Sequence, residues 1–345
     1  MDTLTHALSG AVLGRATAAQ SGDPGRLTAR ERSWIGFLAC VFPDGDIVVR
    51  LFTSQLGYLN LHRGVTHSLI MLPIWAVLLG GLFWWLFRRG RRFQPIAVLC
   101  GLAIVLHIAA DFINSYGTQI LAPLSDRKFA WASTFIIDPG FTAILVAGLL
   151  VSVWRESRRA AAVSLAVLAL YVGGEAVAHL RAAALGDAYA RRHALAGAVT
   201  DVFPQPLSPF NWKIVVSAAD GYHIAYVNLL AGQPPPPPGP DAGLVTRVLA
   251  LYQPANRMDW QTRRRFGDNT DVRTFAEMAW ARPGFAGFRR FAALPWLTDV
   301  ERTGNTECAW FSDLRFSIGE LRSPFRYGMC REGVGHWVLR TGDGG

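Results

Sequence analysis

His107 and Asp111 lie four residues apart, so on a helix the two side chains share one face. Asp2 and His6 repeat that spacing. The run His62-Arg-Gly-Val-Thr-His67 places two imidazoles around a glycine-containing turn, and Pro43-Asp44-Gly-Asp46 puts two carboxylates on another. Imidazole mixed with carboxylate suits zinc first, then manganese or iron; oxygen ligation alone would have favoured calcium or magnesium. Asp2, His6, Asp44, Asp46, His62, His67, His107 and Asp111 thus form a pool of divalent-metal ligands, large enough for one ion or two. Paired ions generate hydroxide near neutral pH and clamp the attacking and leaving oxygens of a phosphoester displacement.

Each residue also has a plainer role open to it. Asp2 suits the positive end of a helix, Asp44 and Asp46 suit turns, and Asp138, just before Pro139, suits a helix cap. Asp111 is the hardest to explain structurally, because an ionisable group in an apolar span is costly and usually functional. His179, His193, His223 and His336 lack partners at informative spacing and read as structural. Glu175 is open between facing the same cavity and pairing with an arginine. Ser68 beside His67 is weak as a nucleophile signal. The chain has no glycine-rich phosphate loop, no Gly-x-Ser-x-Gly elbow and no cysteine pairs of zinc-ribbon type.

The elements that must position these groups are apolar. Ser68–Phe87 is an uncharged run long enough to cross a bilayer core of roughly 30 Å at about 1.5 Å per residue. Pro95–Ile113 resembles it until His107 and Asp111 interrupt its end, and Ala160–Leu180 is a third span. Pro139–Trp154 is shorter, with proline at its N-terminal edge. Thr3–Ala19 and Trp34–Phe42 read as half-buried helices packed on the others. The first of these lacks the basic region of a cleaved signal peptide. Arginines cluster at 26–32, 88–92 and 155–159, and the positive-inside rule puts all three clusters in the cytoplasm. An alternating path then carries every His/Asp group to the other face.

Charged residues make up 17% of the chain, against about a quarter in soluble proteins. The shortage is concentrated before residue 180. The expected architecture is an all-α polytopic membrane bundle over 1–180, then a small soluble α+β domain over 181–345 on the non-cytoplasmic side. A proline-rich connector is expected at 233–240. Trp212–Ser217 and Tyr222–Leu229 alternate around Ala-Ala-Asp-Gly as a hairpin does. Further strands are expected at Ala309–Ser317, Phe325–Cys330 and His336–Arg340, with helices at 244–252 and 271–281. The net charge of +9 is dispersed in clusters beside apolar runs, so topology explains it and nucleic acid is not an expected partner. Cys40 and Cys100 read as small hydrophobes; Cys308 and Cys330 are free to pair in an oxidising compartment.

Several motifs recur in a fixed order: Met1-Asp-Thr-Leu-Thr-His6 with Gly10 and Gly14, Pro43-Asp-Gly-Asp46, His62-Arg-Gly-Val-Thr-His67-Ser, and His107-Ile-Ala-Ala-Asp111-Phe-Ile-Asn114-Ser-Tyr-Gly117. Leu121-Ala-Pro-Leu-Ser125 and Phe135-Ile-Ile-Asp138-Pro follow. Over about residues 1–180 the chain resembles the bacterial YdjM-type inner-membrane proteins, described as LexA-binding, metal-dependent hydrolases. That resemblance implies a bacterial inner-membrane location, and a LexA-type partner enters through the family label alone. The His/Asp helix pattern is also similar to the zinc-dependent phospholipase C and P1 nuclease group, which implies a phosphoester substrate.

The resulting expectation is a membrane-bound metal-dependent hydrolase of a phosphoester, lipid-linked esters included, with its site at the periplasmic face. Asp46, Asp111 and Asp138 are the candidate catalytic carboxylates, one of them a general base. Arg63 is expected to grip the substrate phosphate, with Asn114, Tyr116 and Ser125 orienting substrate or ligands. Two alternatives are a metal-binding or transport protein without catalysis, and a membrane scaffold with structural metal. Transport would need polar groups along 68–106, where few stand; a scaffold would need a closed four-ligand shell.

Overall fold

The computed structural model describes residues 1–18, 27–86, 92–319, 321–333 and 335–342. Arg26, Arg88, Arg89 and Arg91, on which part of the topology expectation rests, lie outside the described residues. Two compact units divide the chain: Met1–Phe52, Leu61–Ala178 and Pro204–Pro209 form the first, and Thr53–Asn60, His179–Phe203 and Phe210–Gly345 the second. The boundary expected at 180 is therefore crossed by two short segments. Residues 53–60 join the second unit because Asn60 donates to the Gly287 carbonyl at 2.9 Å, with Leu56 against Gly287.

The first unit is helical. Helices α1 (Thr3–Ala16) and α2 (Ala29–Val41) pack backbone to backbone. A Cβ on Gly10 would meet the Gly36 carbonyl oxygen at 2.1 Å, and one on Gly14 the Arg32 carbonyl oxygen at 2.1 Å, so only glycine permits this approach. A 3₁₀ turn, Phe42–Leu51, carries Asp44 and Asp46. After α3 (Gln55–Leu61), which belongs to the second unit up to Asn60, a second 3₁₀ turn, Val65–His67, leads into α4 (Leu72–Leu86). Then come α5 (Phe93–Phe112), α6 (Pro139–Trp154) and α7 (Arg158–Arg192).

By length and composition, α5 and α7 are able to cross a membrane, with mean hydropathies of 2.1 and 1.8. Gln55–His67 and Leu72–Leu86 qualify only together, as a pair bent by 75°. The expected straight span from Ser68 is thus corrected: α4 begins at Leu72, and the Ser68 hydroxyl instead accepts from the Ile70 amide at 3.1 Å in the bend. Helix α7 continues well past residue 180, since Arg181–Arg192 is rich in alanine and arginine, both strong helix formers.

The second unit is mixed. Strands β1 (Val199–Pro204), β2 (Asn211–Ala218) and β3 (Gly221–Asn228) lie side by side, β2 and β3 forming the expected antiparallel hairpin through Gly221 at φ +143°. The run Pro234–Pro238 has no regular secondary structure. Helix α8 (Leu244–Leu249) precedes β4 (Gln253–Pro254) and β5 (Gln261–Arg263), both of which pair with β3. Helices α9 (Thr270–Ala281) and α10 (Ala286–Phe291) lead into an antiparallel sheet of β6 (Pro295–Thr303), β7 (Thr306–Asp313), β8 (Tyr327–Glu332) and β9 (His336–Thr341). Its core is aromatic, with Phe285, Phe288 and Phe311 fully buried. Cys308 and Cys330 face each other across β7 and β8 and form a disulfide.

Candidate metal centre

Asp111 is the hub. It sits near the end of α5 with no solvent exposure, like His107 one turn before it. Its Oδ2 lies 3.3 Å from His107 Nε2 and 3.3 Å from His67 Nε2. Asp44 Oδ1 lies 3.6 Å from His107 Nε2 and 3.7 Å from His67 Nε2. Ligands at about 2.0–2.1 Å from a tetrahedral ion stand about 3.3–3.4 Å from one another, so these four spacings are close to the edges of such a shell. His6, Asp44, His107 and Asp111 also offer one atom each within 4.8 Å of all the others. His6 Nε2 is 3.1 Å from Asp111 Oδ1, and its ring stacks on His107 at 3.7 Å.

The donor chemistry fits a cation on a second count. Among the described residues, His67 Nε2, His107 Nε2, Asp111 Oδ2 and His6 Nδ1 are buried side-chain atoms without a hydrogen-bond partner. Native proteins rarely leave such groups unsatisfied. An ion held by His6, Asp44, His107 and Asp111 would satisfy His107 Nε2 and Asp111 Oδ2 together, with His67 Nε2 beside it at 3.3 Å from Asp111 Oδ2.

The outer contacts aim the ligands. His107 Nδ1 lies 2.6 Å from the Cys40 carbonyl oxygen. A carbonyl only accepts, so Nδ1 carries the proton and Nε2 keeps its lone pair for the ion. His62 Nδ1 stands 2.9 Å from Asp46 Oδ1, which fixes its tautomer in the same way. Asp46 Oδ2 accepts from the Arg63 amide at 3.0 Å and lies 3.6 Å from His67 Nδ1. Asp46 is therefore the orienting carboxylate of His62, whereas His67 Nδ1 is held by the Thr66 hydroxyl at 3.0 Å. Thr3 donates to Asp44 Oδ2 at 3.0 Å, leaving Oδ1 toward the histidines. Burial alone would raise the Asp44 carboxyl; the neighbouring His67, His107 and His6 outweigh it and hold that carboxyl below the usual range.

Arg63 was expected at the substrate. Its side chain is 3% exposed, with Nε 3.1 Å from Asp111 Oδ2 and Nη1 donating to Asn114 Oδ1 at 2.8 Å. The guanidinium is thus an internal countercharge to Asp111, held at a positive φ of 63° that aims it inward. Asn114 also accepts from the Tyr116 amide at 3.0 Å and links Arg63 to that ring. The Met1 amino group donates to Asp111 Oδ1 as well.

Three expected residues are not drawn into the cluster. The Asp2 carboxylate caps α1, accepting from the Thr5 amide at 3.0 Å and the Thr5 hydroxyl at 2.6 Å. Asp138 caps α6 through the Phe141 amide at 2.6 Å and accepts from Tyr171 at 2.9 Å. Ser125 accepts from the Arg127 amide at 3.2 Å in a surface turn. Glu175 accepts from Thr134 at 2.7 Å. Side-chain spacing gave no sign of Thr3, nor of the Cys40 carbonyl. Cys40 itself, read as a small hydrophobe, does sit in a core cluster, although with His6 and His107 it also forms a second group of atoms within 4.8 Å of one another.

The cluster opens on one side. His6, His67, His107 and Asp111 side chains have no exposure, whereas His62 and Asp44 keep 17% and 16%. Fold and site together define an apolar helical unit that encloses a His/Asp cluster at the ends of its helices. The chain belongs to the YdjM inner membrane protein family, whose profile matches residues 1–182. It is also 33% identical over 143 residues to the uncharacterized protein YfhP of Bacillus subtilis (strain 168), a match covering 40% of this chain and 42% of that protein. The chain thus spans under half the length of that relative. No solved structure matches.

Proposed function

We propose that this chain is a multi-pass inner-membrane hydrolase of a phosphoester, built around one divalent cation, with zinc the best fit. The observation that carries the metal reading is the convergence of His67 Nε2, His107 Nε2 and Asp111 Oδ2, buried and without hydrogen-bond partners, at 3.3 Å contacts beside Asp44. When bound, such a cation supplies Lewis-acid stabilisation of phosphoryl oxygens and a nucleophile near neutral pH. His6, His107, Asp44 and Asp111 would hold it, with His67 Nε2 able to join them through its 3.3 Å approach to Asp111.

The protein's own groups supply the rest. Asp46 holds the Nδ1 proton of His62, which leaves Nε2 as the basic nitrogen of an imidazole that keeps 17% exposure. His62 is the proton acceptor in this reading, and Asp46 its orienting partner. Arg63 is the countercharge of the buried Asp111, its Nε 3.1 Å from Oδ2. Tyr116 closes the pocket wall beside His62, its ring centroid 5.3 Å from the imidazole.

The periplasmic face is the side we assign to the cluster. Arg15, Arg32 and Arg158 meet at the far ends of the same helices: Arg15 donates to the Ser152 carbonyl at 2.8 Å, Arg32 to the Gly14 carbonyl at 3.3 Å and Arg158 to the Ala18 carbonyl at 3.2 Å. Positive charge at that end favours the cytoplasm. The Cys308–Cys330 disulfide agrees with an oxidising compartment for the second unit. A lipid-linked substrate would reach the cluster from the bilayer, past the exposed Leu51, Phe52, Leu121 and Leu124.

The test is hydrolysis by the purified full chain in detergent, loaded with zinc or manganese, on a chromogenic phosphodiester, a phosphomonoester and short-chain phosphatidic acid. Turnover should fall by about 10²–10⁴-fold in His62→Ala with metal content unchanged. Metal-loaded protein that turns over none of the three substrates would replace this reading with a metal-binding protein without catalysis.

A further inference from the structure

Among the described residues, two sets of ligand atoms converge in the first unit. One is His6, Asp44, His107 and Asp111; the other is His6, Cys40 and His107, and in each the atoms offered lie within 4.8 Å of one another. The sets share both histidines and differ in what completes the shell. The first adds two carboxylates, the second a thiol.

Cys40 is fixed in its place from two directions. His6 and Gly10, four residues apart on α1, share one face of that helix. A Cβ on Gly10 would meet Cys40 Cβ at 2.5 Å, so glycine there lets Cys40 of α2 close on α1 one turn from His6. The Cys40 carbonyl accepts from His107 Nδ1 at 2.6 Å, which ties the same residue to α5. The imidazoles suit a cation too. The two rings stack at 3.7 Å, and His107 keeps Nε2 free of hydrogen bonds. His6 Nε2 lies 3.1 Å from Asp111 Oδ1, whereas its Nδ1 is buried without a hydrogen-bond partner. A buried ring nitrogen left unpaired is costly, and a ligand set that includes a thiol gives it a use.

Softness decides which set a cation takes. Carboxylates favour manganese, thiolate with imidazole favours a thiophilic ion such as copper(I) or cadmium(II), and zinc accepts either. The sets also differ in exposure. His6, Cys40 and His107 have none, whereas Asp44 keeps 16%. A cation held through sulfur is therefore enclosed by buried ligands, away from the partly exposed carboxylate.

We propose that Cys40 makes this centre a soft-metal trap: a thiophilic cation is held by His6, His107 and the Cys40 thiolate, in exclusive competition with the cation of the carboxylate set. The inference rests on the metal reading of the site and gives it an inhibitory ion. On binding, the Cys40 S–H bond breaks, a sulfur–metal bond forms and the proton leaves to solvent, with no change of oxidation state.

Cadmium and manganese titrations of the full chain in detergent test it, with bound manganese followed by paramagnetic resonance and cadmium by its ultraviolet sulfur-to-metal charge-transfer band. Cadmium should raise the band in the parent and displace manganese. Cys40→Ser should abolish the band and weaken cadmium at least about tenfold, with manganese affinity unchanged. Asp44→Asn should do the reverse, weakening manganese and keeping the band. Cys100→Ser, at the other free cysteine, should behave as the parent. The band is read on the parent, so the test survives a variant that does not fold. Cadmium that is not taken up, or is bound without a sulfur band, would overturn the inference and leave the carboxylate centre standing. Cadmium and manganese bound together would overturn it as well, because sets that share both histidines cannot fill at once. A sulfur band in a chain that takes up no manganese would uphold the Cys40 set and count against the hydrolytic centre.

Discussion

Asp111 in the helical unit and Lys213 in the second unit are both buried without solvent contact, and their surroundings differ. Lys213 is saturated. Its ammonium donates to the Leu314 carbonyl, to the Ser317 carbonyl at 2.5 Å and to the Ser317 hydroxyl at 3.4 Å, which staples the turn after β7 to β2. Around Asp111 two imidazole nitrogens crowd to 3.3 Å from one carboxylate oxygen without making a hydrogen bond, even though Arg63 Nε lies 3.1 Å from that oxygen. A buried charge with every donor used is a structural part. Buried imidazole nitrogens and a carboxylate oxygen that face one another without hydrogen bonds have the donor chemistry of a cation site.

Substitutions break this comparison at either end. The largest effect is expected at Asp111→Asn, which removes an anionic ligand and leaves Arg63 buried without its countercharge. Bound metal should be lost and unfolding stability should drop by about 3–5 kcal/mol, read by elemental analysis and thermal melts. A variant with normal metal and melting behaviour would dissolve the contrast. Next comes Lys213→Met, which keeps volume and removes the donor. Two carbonyls lose their partner, at a cost of about 1–3 kcal/mol, while metal content stays at the parental level.

Lys213 adds a pH signature. Burial pulls its ammonium down to about 7 from 10.5, with Asp313 pulling the other way. Between those values the unfolded chain binds the proton and the folded chain does not, so stability rises as pH increases from about 7 toward 10. Below about 7 both states are protonated and the slope from this group vanishes. Denaturant titrations across that range should show the rise in the parent and lose it in Lys213→Met.

A smaller effect is expected at Asp46→Asn, which leaves the cation's ligands in place but frees His62 to turn and removes the negative charge beside His67. Metal affinity should weaken by about 10–100-fold, measured by chelator competition. Smallest are Asp2→Ala and Asp138→Ala, each costing about 1 kcal/mol of helix capping. Metal content should be untouched in both, and its loss in either would return that carboxylate to the ligand set.

Much of the cluster was legible because its signals were chemical and local. The His107–Asp111 spacing in an apolar run, the Pro43–Asp46 turn and His67 beside a span each pointed to ligation without a fold. Asp2 and Asp138 misled for a physical reason: a carboxylate before a helix satisfies exposed amides as readily as it binds a cation, and sequence shows only the side chain. Arg63 misled because its partner, Asp111, is 48 residues away. The Cys40 carbonyl could not be foreseen at all, since any residue offers one. In the second unit the hairpin, the β7–β9 strands and α9 were visible as alternation and periodicity. Transfer of 53–60 into that unit was not, because it depends on Gly287, more than two hundred residues downstream.

Elemental analysis of the full chain, purified without chelator, bears most directly on whether the buried His/Asp cluster is a metal centre. Near-stoichiometric zinc, manganese or iron in the parent, with almost none in His67→Ala and His107→Ala, is the expected result. A parent that takes up none of these metals on reconstitution, or alanine variants that retain them in full, would contradict it.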